Sequence, residues 1–547
     1  MSYFNRRISS YFAPKFDSMK LFLFALTIFL GLYAQAQSFP YNLKIDSISI
    51  PQLGGLQSFG VGQANGKWLV VGGRLDGLHR RQPWATFDSA GHNTQLVVID
   101  PILKKRWVAP LTALSTSLQE QLSSTNMEFI QKGEYLYLMG GYGISKTADD
   151  HITFPYLTAI HLPSVIEAIV NKTDFSAHIL QVKDELFALT GGQLLILNDA
   201  FYLTGGHRFD GLYNPMGNGT FTQTYLSGIR KFTFSVSNST LNYKHLGDVI
   251  SEDHLHRRDF NVLPQILPNG KDGLIAFSGV FQKEVNLPYL NAVVIDKDSF
   301  TVVPDFAQYY NHYHCATVSL YGNETMHNLF FGGIAQYYDS STYLVQDNDV
   351  PFVKTVARVA FDKNGRLAEY KMPVSMPAYL GAASEFIINP SLSILPNEVI
   401  PMDKLIGDTV LLGYIYGGIQ SPAANIFWIN TGVESKASEM IYPVYLIKTN
   451  NDQGVLNDQS INGVQLQLYP DPIEDRLSLN FNLKNAGDVL VEVSNMDGTL
   501  RLKKTLKKLT IGQHAETIKF RKLNRGDVYF VYLTIGDVKV AQKMIVN

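Results

Sequence analysis

The sequence predicts an all-β fold, with a body of six repeated β-sheets followed by a small C-terminal β-sandwich. Three observations predict it. Apolar strands that end in paired glycines recur along the chain, further alternating strands follow most of these pairs, and helical periodicity is almost absent. At 547 residues with 46% hydrophobic content, the chain has enough apolar material for a large core.

The repeated unit is an apolar strand followed by two glycines. The complete pairs are Gly72-Gly73, Gly140-Gly141, Gly205-Gly206, Gly332-Gly333 and Gly417-Gly418, and a degenerate copy of the unit ends in Ser278-Gly279. Gly191-Gly192 lies only 14 residues before Gly205 and is assigned to the first strand of the third unit, although it leaves a seventh unit open. Glycine suits this position because it permits close backbone approach and positive φ.

This pattern resembles kelch-type β-propellers of the galactose oxidase-like class. The resemblance implies a six-bladed propeller over residues 37–450, with loop insertions, since the units are 53 to 85 residues apart and a compact kelch unit has roughly 50. It also implies that the loop leaving each glycine pair and the loop entering each first strand open on the same face of the disc.

Closure of the ring can be predicted from the chain ends. The last unit ends at the strand 442–448, one strand short, and residues 43–50 offer a spare strand. A ring that takes one strand from each end leaves no open edge. We therefore expect residues 43–50 to pair with residues 442–448 as the outer strand of the last blade.

The last eighty or so residues carry a different signature. They open with Tyr469, Pro470 and Pro472, continue through short alternating strands, and end with a strand containing Gly526 and Tyr529 and a basic-then-apolar terminus. This order resembles the C-terminal sorting domain of the Bacteroidetes type IX secretion system, over residues 465–547, with those five residues as the sorting motif. The resemblance implies the type IX secretion machinery as a partner and a secreted or outer-surface location. The polar stretch 451–464 is predicted to be a linker.

The start of the chain predicts export through the periplasm. An apolar run over residues 21–33 follows Lys20 and precedes Ala34-Gln35-Ala36, a small-x-small cleavage site, so residues 1–36 are predicted to be a signal peptide, with Met19 as an alternative start. No later segment reaches the roughly 18 apolar residues of a membrane helix. The net charge of -2 argues against a nucleic-acid partner.

Polar and aromatic side chains cluster in the two loop types that share a face. The candidate ligand-binding residues are Arg80, Arg81, Glu128, Arg208, Arg258, Asp259, His314, Tyr337, Tyr338 and Glu385. Three acid-Phe pairs, which begin at Glu128, Asp259 and Glu385, are interpreted as one position in three blades. Their carboxylates would then ring the mouth of the central channel, where arginines would bind a carboxylate or sugar and the tyrosines would stack on it.

Several interpretations of this face stay open. Arginine-carboxylate pairs between blades would simply hold the disc together. A polar, aromatic-rimmed cup would instead bind an anionic or hydroxyl-rich ligand, either a glycan or a peptide, and the predicted function is such a recognition module outside the cell. The alternatives are a protein-interaction scaffold and a carbohydrate enzyme, either a copper oxidase or an epimerase or mutarotase that uses Glu128, Glu385 and Arg258.

Metal sites are considered and not expected. His254 and His256, like His312 and His314, lie two apart and would share a strand face, which suits copper or zinc. Cys315, the only cysteine, lies near tyrosines, but the copper-oxidase spacing is not recognisable. The run 347–349 resembles a fragment of a calcium loop without its continuation. We expect no cofactor, and catalytic residues are not identified.

Overall fold

The computed structural model describes residues 39–80, 86–214, 219–304, 306–340, 343–427, 431, 433–449, 455–456, 466–469, 476–483, 485–495, 498–520, 527–536 and 538–546. The predicted signal peptide, Arg81, most of the predicted linker, Pro470, Pro472 and Gly526 lie outside these ranges. Strands dominate the described residues, which include the α-helices α1 (Thr116–Leu122) and α2 (Leu162–Asn171). The all-β prediction is confirmed.

The first strand, β1 (Tyr41–Ile45), belongs to the last sheet of the body. The first sheet contains β2 (Gly60–Ala64), β3 (Lys67–Val71), β4 (Gln95–Asp100) and β5 (Lys105–Pro110). The next region contains β6 (Glu128–Lys132), β7 (Tyr135–Met139), β8 (Tyr142–Ser145), β9 (Asp150–Thr153), β10 (Tyr156–His161) and β11 (Ile179–Lys183). The second sheet has the order β6-β7-β10-β11, and β8 and β9 form a separate hairpin.

The third and fourth sheets follow the same plan. The third region contains β12 (Gln193–Leu197), β13 (Ala200–Thr204), β14 (His207–Gly211), β15 (Phe221–Tyr225), β16 (Gly228–Ser237) and β17 (Thr240–Ile250). The third sheet has the order β12-β13-β16-β17, with β14 and β15 as a separate hairpin. The fourth sheet contains β18 (Asn261–Ile266), β19 (Asp272–Phe277), β20 (Ala292–Ile295) and β21 (Phe300–Val302).

The fifth and sixth sheets complete the body. The remaining strands are β22 (Thr317–Gly322), β23 (Thr325–Ile334), β24 (Tyr337–Ser340), β25 (Tyr343–Gln346), β26 (Phe352–Asp362), β27 (Leu367–Ser375), β28 (Tyr379–Ile388), β29 (Ile400–Pro401), β30 (Thr409–Ser421), β31 (Lys436–Ala437), β32 (Ile441–Lys448) and β33 (Val455–Leu456). The fifth sheet has the order β29-β22-β23-β26-β27-β33, and the sixth has the order β28-β30-β32-β1, with β31 paired to β30.

The N-terminal strand completes the last sheet. β1 pairs antiparallel with β32, and Leu43 lies opposite Leu446. An isolated bridge between Ile48 and Ile441 extends the contact. The predicted pairing of the two chain ends is confirmed, although the strand covers residues 41–45 rather than residues 43–50.

Six backbone hydrogen bonds join the six sheets in a closed cycle, here called the central ring. They link residues just before the first strands of five sheets and Ala383 within β28, the first strand of the sixth sheet, with N···O distances of 2.7 to 3.1 Å. The donors and acceptors are Ser58 to Ala383, Asn126 to Ser58, Gly191 to Asn126, Asp259 to Gly191, His314 to Asp259 and Ala383 to His314. The sixth bond returns to the first residue, so the six sheets are linked in one closed loop of backbone contacts.

The glycine pairs bring each sheet against the next. At Gly140, φ is +63°, and a Cβ would lie 1.9 Å from the carbonyl oxygen of Leu189 in the following region. Glycine is therefore required there both for its backbone conformation and for space. Apolar side chains fill the gaps between sheets: Leu69 of the first sheet shares one cluster with Leu138 of the second.

The C-terminal region forms two sheets around a shared hydrophobic core. Its strands are β34 (Leu466–Tyr469), β35 (Arg476–Leu483), β36 (Gly487–Asn495), β37 (Leu500–Leu509), β38 (Gly512–Lys519), β39 (Val528–Ile535) and β40 (Val538–Ile545). One sheet has the order β34-β35-β38, and the other has the order β24-β25-β40-β39-β36-β37, so it includes a hairpin of the body. Leu479 and Val491 lie in the shared core, as does Tyr529 of the predicted sorting motif.

Candidate functional site

A cavity of about 480 Å³ lies over the central ring. A smaller pocket of about 60 Å³ lies among the first strands. The residues that line both spaces are Ser58, Asn126, Asp259 and His314, which all belong to the central ring. The ring therefore forms the boundary between the large cavity and the small pocket.

The residue that follows each complete glycine pair lines the large cavity. These residues are Arg74, Tyr142, His207, Ile334 and Ile419. Of this set, the sequence drew attention only to His207, in the cluster 207–210, because the other clusters considered lie farther along the same loops. The signal was nevertheless present, since the position directly after a glycine pair can be read from the repeat alone.

Aromatic rings form much of the cavity wall. The aromatic lining residues are Phe87, Tyr142, Phe209, Tyr213, Phe281, Tyr313 and Phe427. Several are in mutual contact: the ring centroids of Phe87 and Tyr142 are 5.3 Å apart and those of Tyr142 and Phe209 are 5.1 Å apart, both in edge-to-face geometry. Edge-to-face contacts of this kind hold rings in fixed positions, so the wall is preorganised.

Arg258 brings a positive charge to this aromatic wall. Its Nη1 donates to the carboxylate of the adjacent Asp259, its Nε donates to the Tyr225 hydroxyl at 3.1 Å, and its guanidinium lies 5.1 Å from the ring centre of Phe281. Burial opposes the charge, but Asp259 and Tyr225 outweigh it and raise the pKa of Arg258. The side chains of Arg258 and Asp259 remain 19% and 23% exposed, so a ligand in the cavity can reach both.

His314 lies on the central ring beside a carboxylate. Its Nε2 is 3.1 Å from Oε1 of Glu385. Burial alone would lower the pKa of His314, but the negative charge of Glu385 at this distance, with a contribution from Asp259, raises it above the usual value of 6.5. The imidazole is therefore held towards its charged form.

Glu128 lies in the small pocket and, unlike Arg258 and Asp259, is almost fully buried. It is 2% exposed, its Oε1 accepts a hydrogen bond from the Gly192 N–H at 2.9 Å, and its Oε2 has no hydrogen-bond partner among the described residues. Burial raises its pKa to about 8, so the carboxyl is protonated at neutral pH. A pocket of about 60 Å³ has room for water but not for a sugar ring.

The three predicted carboxylates converge, but not as one repeated position. Glu128, Asp259 and Glu385 all line the small pocket. Glu128 lies opposite Met139 and Glu385 lies opposite Tyr416, in each case the residue before a glycine pair. The corresponding residue of the fourth sheet is Asn261, opposite Phe277. The interpretation of the acid-Phe pairs as one position is therefore wrong for Asp259, which lies two residues earlier.

The remaining arginine and tyrosine candidates lie elsewhere in the described structure. Neither cavity is lined by Arg80, Arg208, Tyr337 or Tyr338. Arg208 forms ion pairs with Glu185 and Asp210 at 2.7 and 2.6 Å and is 45% exposed. Tyr337 is buried, with its ring centre 4.9 Å from that of Tyr309. Tyr338 packs against residues of the C-terminal sheet.

The candidate metal-binding histidines make ordinary hydrogen bonds. His312 uses both ring nitrogens on backbone groups, Nε2 at 2.8 Å from the Gln308 oxygen and Nδ1 as acceptor from the Gln336 N–H at 2.9 Å. Its burial lowers its pKa to about 4. The Nδ1 of His256 lies 2.9 Å from the Ser227 hydroxyl.

His254 and Cys315, the other metal candidates, also lie in surroundings that do not suit a metal ligand. His254 lies near Phe300, and burial raises the pKa of Cys315 to about 12, which makes it a poor thiolate ligand. Among the residues that the structure covers, no group of three or more His, Cys, Asp and Glu side chains is arranged to hold a metal ion.

Comparison with protein families identifies the C-terminal region. Residues 467–547 match the secretion system C-terminal sorting domain. This sorting domain belongs to the type IX secretion system and marks proteins that are exported to the cell surface or the extracellular space. The predicted location is confirmed, and the sorting domain implies interaction with the type IX secretion machinery. Within the described ranges, no helix has the length and apolar character needed to cross a membrane.

The chain has distant structural likenesses to several solved structures. The structure of YjhT has 12% identity and a TM-score of 0.41, over 75% of this chain and 99% of that chain. An exo-1,5-α-L-arabinanase from a bovine ruminal metagenomic library has 10% identity and a TM-score of 0.27, over 61% of this chain and 96% of that chain. A glycoside hydrolase family 32 protein from Bifidobacterium adolescentis has 10% identity and a TM-score of 0.23, over 93% of this chain and 77% of that chain. No curated protein matches the sequence.

Proposed function

We propose that the body is a six-bladed kelch-type β-propeller that binds a hydroxyl-rich or anionic ligand, such as a glycan, in the cavity over its central ring. Support for six blades comes from the closed cycle of six backbone hydrogen bonds and from the completion of the last sheet by β1. Since the chain carries a sorting domain for export, binding would take place outside the cell.

The observation that carries the proposal is the composition of the cavity wall. At about 480 Å³ the cavity is within the range of small-molecule sites, which are mostly apolar with a few well-placed polar groups. Flat aromatic rings suit the apolar faces of a sugar. Arg258 presents the planar, multiply donating group that suits carboxylates and hydroxyl oxygens.

The purely structural interpretation of the arginines has less support. Arg258 pairs with Asp259, its neighbour in sequence, and Arg74 pairs with Asp76 two residues away. These pairs therefore do not connect one sheet to another. Backbone hydrogen bonds of the central ring connect all six sheets, and Arg258 adds a hydrogen bond to Tyr225 of the third region. The side chains of Arg258 and Asp259 nevertheless remain partly exposed, so a ligand can reach them.

A carbohydrate isomerase is a second candidate, favoured by the position of Asp259 and His314 at the boundary of the large cavity and the small pocket. The small pocket is too tight for a sugar, so Glu128 and Glu385 would not touch a substrate. Asp259 and His314 line both spaces and could act on a sugar as base and acid, because the raised pKa of His314 favours its protonated form. Under this candidate, Asp259→Asn would abolish isomerisation and Glu128→Gln would not.

Screening the full chain on glycan and peptide arrays tests the proposal. The proposed function predicts binding to a restricted set of glycans, with acidic or hydroxyl-dense members among them. Binding to peptides alone would contradict it and would favour the scaffold alternative. Absence of binding to every glycan on a broad array would also contradict it.

A further inference from the structure

The sorting domain and the body share one β-sheet. β25 of the body pairs in parallel with β40, the last strand of the sorting domain. The paired residues are Leu344 with Val540, Val345 with Ala541 and Gln346 with Gln542. Strand addition at an open edge provides backbone hydrogen bonds together with a fixed register, so it is a specific mode of docking.

Opposite charges meet at the end of this strand pair. Nζ of Lys543 lies 3.3 Å from Oδ1 of Asp347 and contacts the carboxylate of Asp349. Asp347 is 2% exposed and also accepts hydrogen bonds from Asn425 at 2.8 Å and from the backbone N–H of Asp349 at 3.0 Å. A buried carboxylate needs such partners, and here the cation comes from the sorting domain.

Apolar packing lies beside the ion pair on the same face, because Ala541 and Lys543 are two residues apart on β40. Val345 of the body is buried with Tyr532 and Ala541 of the sorting domain, and Tyr338 and Phe530 pack against this cluster. Three kinds of contact therefore coincide: strand pairing, a buried ion pair and a small hydrophobic cluster. Together they distinguish an organised interface from a chance encounter of two domains.

The same segment of the body reaches the cavity. Asn348, Asp349 and Val350 line it, directly after the strand that pairs with the sorting domain. The Asn348 side-chain oxygen accepts hydrogen bonds from Gln336 at 2.8 Å and from Gln346 at 3.1 Å, which ties the wall segment to the hairpin.

We propose that residues 337–340 and 343–350 of the body are a docking site for the sorting domain of the same chain, which occupies it with β40 and Lys543. Docking holds the hairpin β24-β25 and the adjoining cavity wall in one arrangement. The full chain is thus one connected unit and not two domains joined only by a linker.

Hydrogen exchange of the full chain tests the ionic part of this interface. Lys543→Gln removes the cation while keeping a side chain of similar length. The backbone amides of residues 344–350 are expected to exchange about tenfold faster or more in this variant. Lys503→Gln is the matched control, because Lys503 pairs with Glu492 on the far edge of the same sheet, 2.9 Å away. Equal exchange in both variants would overturn the proposal.

Cross-linking tests the strand register independently of Lys543. Val345 and Ala541 are direct partners on strands about 4.8 Å apart, a distance that a disulfide can span. In the full chain, the double variant Val345→Cys with Ala541→Cys is expected to form an intramolecular disulfide under mild oxidation, whereas either single variant is not. Failure to cross-link, or cross-linking only between two chains, would overturn docking within one chain.

Discussion

The backbone N–H of Gly418 donates a hydrogen bond to the carbonyl oxygen of Leu56, 2.9 Å away, and so joins the last sheet of the body to the first. The same contact recurs at earlier junctions: Gly73 donates to Ser124 at 2.8 Å and Gly141 donates to Leu189 at 3.0 Å. The two ends of the body therefore meet through the contact that joins its successive sheets. Because backbone groups make this contact, closure does not depend on particular side chains at the seam.

Substitution of one turn glycine, Gly133, and one repeat glycine, Gly140, should separate backbone strain from crowding. Gly133 and Gly140 have φ values of +60° and +63°, but a Cβ at Gly133 meets nothing within 4 Å, whereas one at Gly140 meets the Leu189 oxygen at 1.9 Å. Gly133→Ala is expected to lower the free energy of unfolding by about 1 kcal/mol, and Gly140→Ala by several times as much. Chemical denaturation measures both, and equal losses would refute the close-approach explanation.

The strand β1, which completes the last sheet, should contribute to stability through its buried face. Leu43 of β1 is buried in a cluster with Leu446 of β32, whereas Asn42 is exposed. Leu43→Asp is expected to cost on the order of 3 kcal/mol because it places a charge in that cluster. Asn42→Asp should change stability by less than about 0.5 kcal/mol. Similar unfolding midpoints for the two variants would show that β1 does not pack as described.

Glu128 should make stability fall as pH rises. Its pKa is about 8 in the folded protein, above the ordinary 4.5 of a glutamic acid. Between these values the folded state holds a proton that the unfolded state has lost, so the free energy of unfolding decreases with increasing pH. Glu128→Gln keeps an oxygen that can accept from the Gly192 N–H and removes the titration. Between about pH 5 and about pH 9, the free energy of unfolding of the variant should rise by on the order of 3 kcal/mol relative to that of the wild type. Parallel stability curves would contradict this.

His314 should contribute most to the stability of the folded protein at low pH. Its pKa is raised above 6.5 by Glu385, so the added stability is fully present below the unfolded pKa and is lost as pH rises through the folded one. His314→Gln should therefore destabilise the protein more at about pH 5.5 than at about pH 9. Thermal melting of both proteins at the two pH values provides the test. A larger loss at the higher pH would mean that the pair with Glu385 does not form.

The features that the sequence predicts correctly follow local rules. Glycine pairs mark sites of positive φ and close approach, and a strand missing at one end of the chain predicts a partner at the other. Glu128 lines the small pocket together with Asp259 and Glu385. Its raised pKa could not be predicted, because it results from burial beside Gly192 of the next sheet.

Other features depend on contacts between distant parts of the chain. Asp259 resembles Glu128 in its local sequence, but its sheet begins at Asn261, so Asp259 joins the central ring instead of the strand. Tyr337 and Tyr338 follow a glycine pair, yet their hairpin extends the sheet of the sorting domain. No local pattern signals the pairing of residues 344–346 with residues 540–542.

We propose that the ligand binds in the cavity over the ring, and a comparison of two arginine variants tests this claim. Arg258 lines the cavity, whereas Arg208 is a surface ion-paired residue outside its lining. For the best ligand from the glycan array, affinity measured by calorimetry should fall about tenfold or more in Arg258→Gln and stay unchanged in Arg208→Gln, with both variants folded by thermal melting. Unchanged affinity in a folded Arg258→Gln protein would contradict the claim.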